Sequence, residues 1–228
     1  MTLAIFDLDN TLIRGDSDYL WGRFLVAQGV VDGAFYEREN QRFYDEYRAG
    51  TLDIHEFLRF SLAPLARLSK AQLLSLRERF VNQHLPSLWL PAAQRLVDEH
   101  RRAGRLPLVI TATNRFVTEP IVRRYGIEVL LATEPAMDEH GEFTGEVAGV
   151  PCFQEGKVIR LESWLAENGK SLEGSWFYSD SHNDLPLLER VSHPVAVDPD
   201  ERLAEEARRR GWPLISLREG EEPVTMPT

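Results

Sequence analysis

The stretch Ala4 to Ile13 opens as a short apolar run, Ala4-Ile5-Phe6, the pattern of a buried strand. It then sets Asp7 and Asp9 two positions apart, followed by a hydroxyl at Thr11. Side chains at i and i+2 share a strand face, so both acids meet one reactant if the strand persists that far. From residue 16 to about 88 the period changes. Tyr19, Leu20, Phe24 and Ala27 recur at helical spacing up to Gly29, and Asp32 opens a second helix carrying Tyr36, Phe43, Tyr44 and Tyr47 up to Gly50. Asp53 opens a third with Ile54, Phe57, Leu58 and Leu62, and Ser69 a fourth with Leu73, Leu76, Phe80 and Leu85. No strand pattern interrupts this block, so it reads as an all-helical insertion.

From Pro91 strands and helices alternate. Pro91 to Ala103 is a helix with proline in its first turn, and Leu106 to Ile110 a buried strand ending in Thr111-Ala112-Thr113-Asn114. A helix to Tyr125, a strand from Ile127 to Leu131 and a hairpin around Asp138 to Gly145 follow. Glu155 to Asn168 is helical, Trp176-Phe177-Tyr178 is a strand, and a helix comes after Asp184. His193 to Val197, Glu201 to Arg210 and Pro213 to Ser216 read as strand, helix and strand, and Arg218 to Thr228 as a loose polar tail. Such alternation predicts an α/β fold with a mostly parallel sheet covered on both faces.

Composition narrows the partners. The net charge of −10 argues against nucleic acid or an anionic membrane, while a local cation at one site still admits a small phosphorylated substrate. The single cysteine, Cys152, allows no internal disulfide and reads as a packed thiol. The start Met1-Thr2-Leu3 has no basic region leading into a long apolar stretch, and no run approaches the ~20 apolar residues of a membrane span. The expectation is a soluble, cytoplasmic monomer or homodimer.

In open parallel sheets ligands gather beyond the carboxyl ends of the strands. Polar groups stand at three such ends, Asp7 with Asp9, Thr111, and Asp180 with Asp184, and at one helix start, Lys157. Each has a bland reading. Thr111 suits local backbone, Lys157 suits solvent, and any of the acids suits a helix cap. Together they supply the inventory of one reaction. Acids around one point suit a hard cation such as Mg²⁺, and a lysine and a hydroxyl suit phosphoryl oxygens. One carboxylate can attack phosphorus and a second can move the proton.

The chain resembles the phosphatases of the haloacid dehalogenase superfamily, in the branch that includes phosphoserine phosphatase. FDLDNT matches the first motif, LVIT the second, EGK the third and SDSHND the fourth, over Ile5 to about Ser216. The resemblance implies a Rossmannoid three-layer core, residues 1–15 and 89–217, with a mobile helical cap at 16–88. It implies Asp7 as nucleophile and Asp9 as general acid/base. Mg²⁺ would be held by Asp7, the Asp9 carbonyl and Asp180, with Asp184 holding metal-bound water or orienting Lys157. Thr111 and the Ala112 amide would bind phosphoryl oxygen, Lys157 would neutralise the phosphoaspartate, and Asn183 matches a phosphate-side amide. Two departures stand out. Asn10 replaces a commoner Gly or Ser, and Ser179 replaces the usual Gly before the fourth-motif acid.

Asp16 stands where the branch carries an acid facing a substrate amine, although a helix-start aspartate explains it equally. The branch's carboxylate-binding arginine aligns with Ser61, and Arg59 is nearby on a different side of the helix. An amine reader without a carboxylate reader favours an amino-alcohol phosphate. Histidinol phosphate ranks first and phosphoserine second. Phosphoethanolamine or phosphocholine also fit, the latter through aromatic contacts from Trp21 or Tyr19. The readings of another class are a phospho-acceptor signalling domain, which has no long insertion after its first acid, and a non-catalytic binding module.

Overall fold

A computed structural model describes residues 2–227. The first strand, β1 (Leu3–Phe6), lies in the middle of an eight-stranded sheet. The others are β2 (Leu106–Asn114), β3 (Val129–Met137), β4 (Phe143–Ala148), β5 (Trp176–Ser179), β6 (His193–Val197), β7 (Leu214–Ser216) and β8 (Val224–Thr225). Their order is β4-β3-β2-β1-β5-β6-β7-β8, parallel throughout except for the edge pairs β3–β4 and β7–β8. Both neighbours of β1 are parallel to it, with Ile5 opposite Leu108 and Phe177.

The pleat of β1 explains the layers. Ala4 and Phe6 join one core with α5 (Pro91–Arg102) and α6 (Arg115–Arg124), while Leu3 and Ile5 join another with α7 (Glu155–Asn168), α8 (Leu185–Leu188) and α9 (Glu201–Arg210). Side chains alternate between faces, so an unbroken apolar strand serves two cores at once. Full burial of each Leu, Ile or Phe contributes about 1.5–3 kcal/mol. The helical insertion extends the first core. Its helices are α1 (Ser17–Ala27), α2 (Gly33–Ala49), α3 (Ile54–Leu62) and α4 (Lys70–Leu88), and Trp21, Phe24, Leu62 and Phe80 pack with Phe116 and Val117.

Cap chemistry sets the helix starts where the sequence predicts them. Asp16, Asp32 and Asp53 each accept backbone N–H groups of the helix that follows, and Ser69 forms a reciprocal capping box with Gln72. Gly50, at φ 74°, ends α2. Gly156 has a different reason. A Cβ there would stand 2.0 Å from the Pro151 carbonyl oxygen, so the third motif closes only on glycine.

Three expectations need correction. The opening strand stops at Phe6, and although the Asp7 amide still donates to the Tyr178 carbonyl, Leu8 onward is a turn closed by Leu12 N–H on Leu8 O. Asp7 and Asp9 are therefore brought together by a turn and not by a shared strand face. The strand expected at Ile127–Leu131 begins two residues later and runs on to Met137, so the hairpin is an extension of the sheet. That hairpin grips the insertion, for the Glu142 carboxylate accepts the Lys70 N–H at the start of α4. Finally, the tail is not loose. Val224 and Thr225 pair antiparallel with β7, and Glu221 and Glu222 meet Arg95.

Candidate active site

A cleft lies between the carboxyl ends of the strands and the helical insertion. The core side supplies Asp7, Asp9, Asn10, Thr111, Ala112, Thr113, Phe153, Lys157 and Asp184 to its lining, and the insertion supplies aromatic and aliphatic side chains with two acids and Asn40.

Lys157 is the hub of the core side. It is 3% exposed, and its Nζ donates to Asp7 Oδ1 at 3.0 Å and to the Asp184 carboxylate at 2.8 Å. Burial works against the ammonium charge, but Asp184 and Asp7 more than offset it and raise the lysine above its ordinary value. Burial pushes Asp7 up to about 7; Lys157 opposes the rise, and Asp184 and Asp9 reinforce it. Asp180 is likewise raised by burial and then by Asp7 and Asp184, with Thr11 Oγ1 donating to its Oδ1 at 3.0 Å.

Asp9 is held on both oxygens. Oδ1 accepts the Ser17 N–H at 2.6 Å, and Oδ2 accepts Thr113 Oγ1 at 2.9 Å and Thr111 Oγ1 at 3.3 Å. These donors come from α1 and from the end of β2, so the orientation of Asp9 reports the packing of the insertion against the sheet. Asn10 next to it has φ 57°, a left-handed conformation that asparagine tolerates nearly as glycine does. Its departure from the motif is therefore conformationally equivalent to a glycine. Ser179 is a departure that adds something. Its hydroxyl donates to Asp184 Oδ2 at 2.6 Å and accepts the Ser181 N–H at 3.1 Å, bracing the acid that holds Lys157.

The sequence reading placed Asp7, Asp9, Thr111, Ala112, Lys157, Asp184 and Asp16 at one site, and all of them line this cleft. Asp180 is close enough for Asp7 and Asp184 to raise it, accepts the Thr11 hydroxyl and stands outside the lining. Asn183 is also outside it. Its amide donates to the Tyr47 carbonyl at 3.1 Å and its Oδ1 accepts Gln154 Nε2 at 3.0 Å, so it ties α2 to the core where a phosphate-facing amide was expected. Arg202 adds a second tie, Nη1 donating to the Ala49 carbonyl at 2.8 Å. Cys152 is fully buried with its thiol pushed up to about 12 by burial, a packed residue as expected.

Over the insertion's part of the cleft stand Tyr19, Phe43, Tyr44, Tyr47, Leu52, Ile54 and Phe57. Neither Ser61 nor Arg59 joins them. Ser61 is buried away from the cleft and Arg59 faces a groove between α2 and α3. No arginine lines the cleft among the described residues. Asp16 serves both roles considered for it, since its Oδ1 caps α1 through the Asp18 and Tyr19 N–H groups at 2.9 Å while the residue lines the cleft. Sequence reasoning missed Asp18, Thr113 and the bracing role of Ser179. Asp18 and Thr113 each stand two residues from a recognised one, and that spacing was the available signal.

Residues 4–189 match the family model of haloacid dehalogenase-like hydrolases. The chain is 45% identical over 219 residues to a histidinol-phosphatase of Neisseria meningitidis serogroup C, covering 95% of this chain and 99% of that protein. It is 32% identical to a phosphoserine phosphatase of Mycobacterium tuberculosis, covering 94% of this chain and 70% of that one. Among solved structures, a protein of unknown function from Bordetella pertussis matches with TM-score 0.88 and 43% identity, over 95% of this chain and all of that one. A phosphoserine phosphatase trapped as a phospho-aspartyl analogue matches in fold, with TM-score 0.67 at 20% identity over 90% of each chain. The chain belongs to the haloacid dehalogenase-like hydrolases. Its sequence relatives and its site place it among the phosphoric monoester hydrolases of that family.

Proposed function

We propose that this enzyme hydrolyses a small amino-alcohol phosphate through a phosphoaspartate on Asp7, with histidinol phosphate as the first-ranked substrate. The observation that carries the reaction is the buried Lys157 bound to both Asp7 and Asp184 at the cleft floor. In the first step an Asp7 oxygen forms a bond to phosphorus as the ester oxygen leaves, and Asp9 donates a proton to that oxygen. In the second step water attacks phosphorus, Asp9 takes its proton, and Asp7 is released with inorganic phosphate. Lys157 stays beside Asp7 and balances the acyl phosphate, held in place by Asp184 and Ser179. The Thr111 hydroxyl and the Ala112 amide would receive the phosphoryl oxygens.

The donor set suits a hard divalent cation. The described residues hold no preassembled group of three or more acidic, histidine or cysteine ligands. Mg²⁺ is ordinarily bound by one or two carboxylates with phosphate and water. The Asp7 and Asp180 carboxylates and the Asp9 carbonyl fit that demand, and burial beside other acids, which raises both carboxylates, is a standing need for positive charge there. When bound, Mg²⁺ supplies charge to the phosphoryl oxygens.

The helical insertion acts as the cap. Ties from Asn183 and Arg202 to the end of α2 hold it against the core, which excludes water from the acyl phosphate. Substrate preference follows from the cap's lining, which offers aromatic walls and Asp16 and no guanidinium for a carboxylate. The 45% identity to a histidinol-phosphatase supports the same choice. A panel of phosphomonoesters assayed with and without Mg²⁺ tests the reading. The expected order of kcat/KM is histidinol phosphate above phosphoserine and phosphoethanolamine. Phosphoserine leading the panel would overturn the substrate, and metal-independent turnover would overturn the cofactor.

A further inference from the structure

We propose that Asp18 is a second substrate-reading carboxylate beside Asp16, and that the pair selects a leaving group carrying two nitrogen donors, an amine and a ring N–H. This deepens the reading of the cleft as an amino-alcohol phosphate site and rests on it. Both acids line the cleft within the first turn of α1 or at its cap. Each has one oxygen held and the other open. Asp16 Oδ1 takes the two helix N–H groups at 2.9 Å, and Asp18 Oδ1 takes Asn114 Nδ2 at 3.2 Å. Among the described residues no donor reaches Oδ2 of either, although Asp18 is only 9% exposed.

The charge balance says what those oxygens face. Neither acid has a salt bridge among the described residues, and the lysine of the cleft is already shared by Asp7 and Asp184. An ionised carboxylate taken out of water is costly unless it is paired, and here two lie close together with Asp9 nearby. Burial raises both, Asp16 to about 7 and Asp18 well above the usual range, each pushed further by the neighbouring acids. One amine satisfies one of them. A second N–H donor on the same substrate satisfies the other.

The walls fit the same ligand. Tyr19 and Tyr44 stand with ring centroids 5.7 Å apart, and Tyr47 and Phe153 at 6.0 Å, with Phe43 and Phe57 completing an apolar wall. Such surfaces accept the faces and edges of a flat heteroaromatic ring. Asn114 fixes the orientation of Asp18 from the core side, because its own Oδ1 caps α6 through the Val117 N–H at 3.2 Å. The purely structural alternative is that Asp18 exists to hold Asn114.

Asp18→Asn separates the two roles, since the new amide oxygen still accepts from Asn114 while the open carboxylate oxygen becomes an N–H donor that cannot accept from the substrate. The full-length enzyme, its Asp18→Asn variant and its Asp16→Asn variant are assayed with Mg²⁺ on histidinol phosphate, phosphoethanolamine and p-nitrophenyl phosphate. Asp18→Asn is expected to lower the kcat/KM ratio of histidinol phosphate to phosphoethanolamine by about 10- to 100-fold, mostly through KM. Asp16→Asn is expected to lower both amine substrates against p-nitrophenyl phosphate. Inhibition by free histidinol should weaken by a similar factor in Asp18→Asn, with Tm within a few degrees of the parent. An equal fall on all three substrates, or no change in the ratio, overturns the assignment of Asp18 while leaving the enzyme's preference for histidinol phosphate intact. A parent enzyme without preference for either amine substrate over p-nitrophenyl phosphate overturns the amine-reading cleft as well.

Discussion

The two halves of the cleft are built by different means. The core half is a lattice of charged side chains that meet across long stretches of sequence. Lys157 reaches back 150 residues to Asp7, and Thr113 reaches back 104 to Asp9. Every one of these groups is positioned by another, and all but the partly exposed Asp9 and Asp180 are buried at the carboxyl ends of the central strands. The insertion half is mostly aromatic surface from three helices, α1, α2 and α3, with two acids at the start of α1. On the proposed reading, chemistry needs fixed distances and is placed on strand ends, while selection needs shape and a few charges and is placed on an inserted element.

That division can be broken from the core side with large effects on every substrate. Asp7→Asn removes the carboxylate proposed to attack phosphorus and should lower kcat by roughly 10⁴-fold or more on histidinol phosphate and p-nitrophenyl phosphate alike, read by phosphate release. A selective loss on one substrate would show that Asp7 is not the shared nucleophile. Lys157→Met should lower kcat by about 10²- to 10³-fold. It also leaves Asp7 and Asp184 buried without their cation, so denaturant titration should show a loss of about 3–5 kcal/mol. Ser179→Ala is a smaller cut. It leaves Asp184 with one donor fewer at a fully buried place, a loss of about 1–3 kcal/mol with a kcat fall near 10-fold.

The acids also set a pH signature for the metal-free enzyme. Asp7 moves from 3.8 to about 7 on folding, so the folded state binds that proton more tightly than the unfolded chain. The stability it contributes is full below about 4 and is lost as pH rises through about 7. Asp16, also pushed up to about 7, works in the same direction. His100, held down to about 4 by burial, works the other way across the same window. Thermal melts without metal should therefore show Tm falling more steeply with pH across that window in the parent enzyme than in Asp7→Asn, and Mg²⁺ should restore the parent's Tm at the upper end by binding the folded state. An equal slope in the two would contradict the burial of Asp7.

The core half was legible because its residues are few, chemically distinctive and fixed to strand ends that the apolar pattern marks. Helix caps were legible for a related reason, since Asp16, Asp32, Asp53 and Ser69 satisfy local backbone donors that any helix start presents. The insertion half was not. Its helices repeat aromatics on more than one face, and periodicity does not say which face closes on the cleft and which on Trp21 and Phe80. Ser61 shows the limit, since its position matches the family's substrate reader and the helix turns it away from the cleft, while Arg59 faces elsewhere as expected. Asp18 was hidden in an Asp-Ser-Asp sequence that reads as an ordinary helix start. The tail's pairing with β7 depends on an open sheet edge, which two residues of sequence do not announce.

The most direct test of this division is the ratio of kcat/KM for histidinol phosphate to that for p-nitrophenyl phosphate in Asp16→Asn and in the parent enzyme. Asparagine caps a helix as well as aspartate does, so α1 keeps its start while the cleft loses one charge. The account predicts a fall in the ratio of about 10-fold or more. An unchanged ratio would contradict the claim that the insertion's acids, apart from the chemistry at Asp7, choose the substrate.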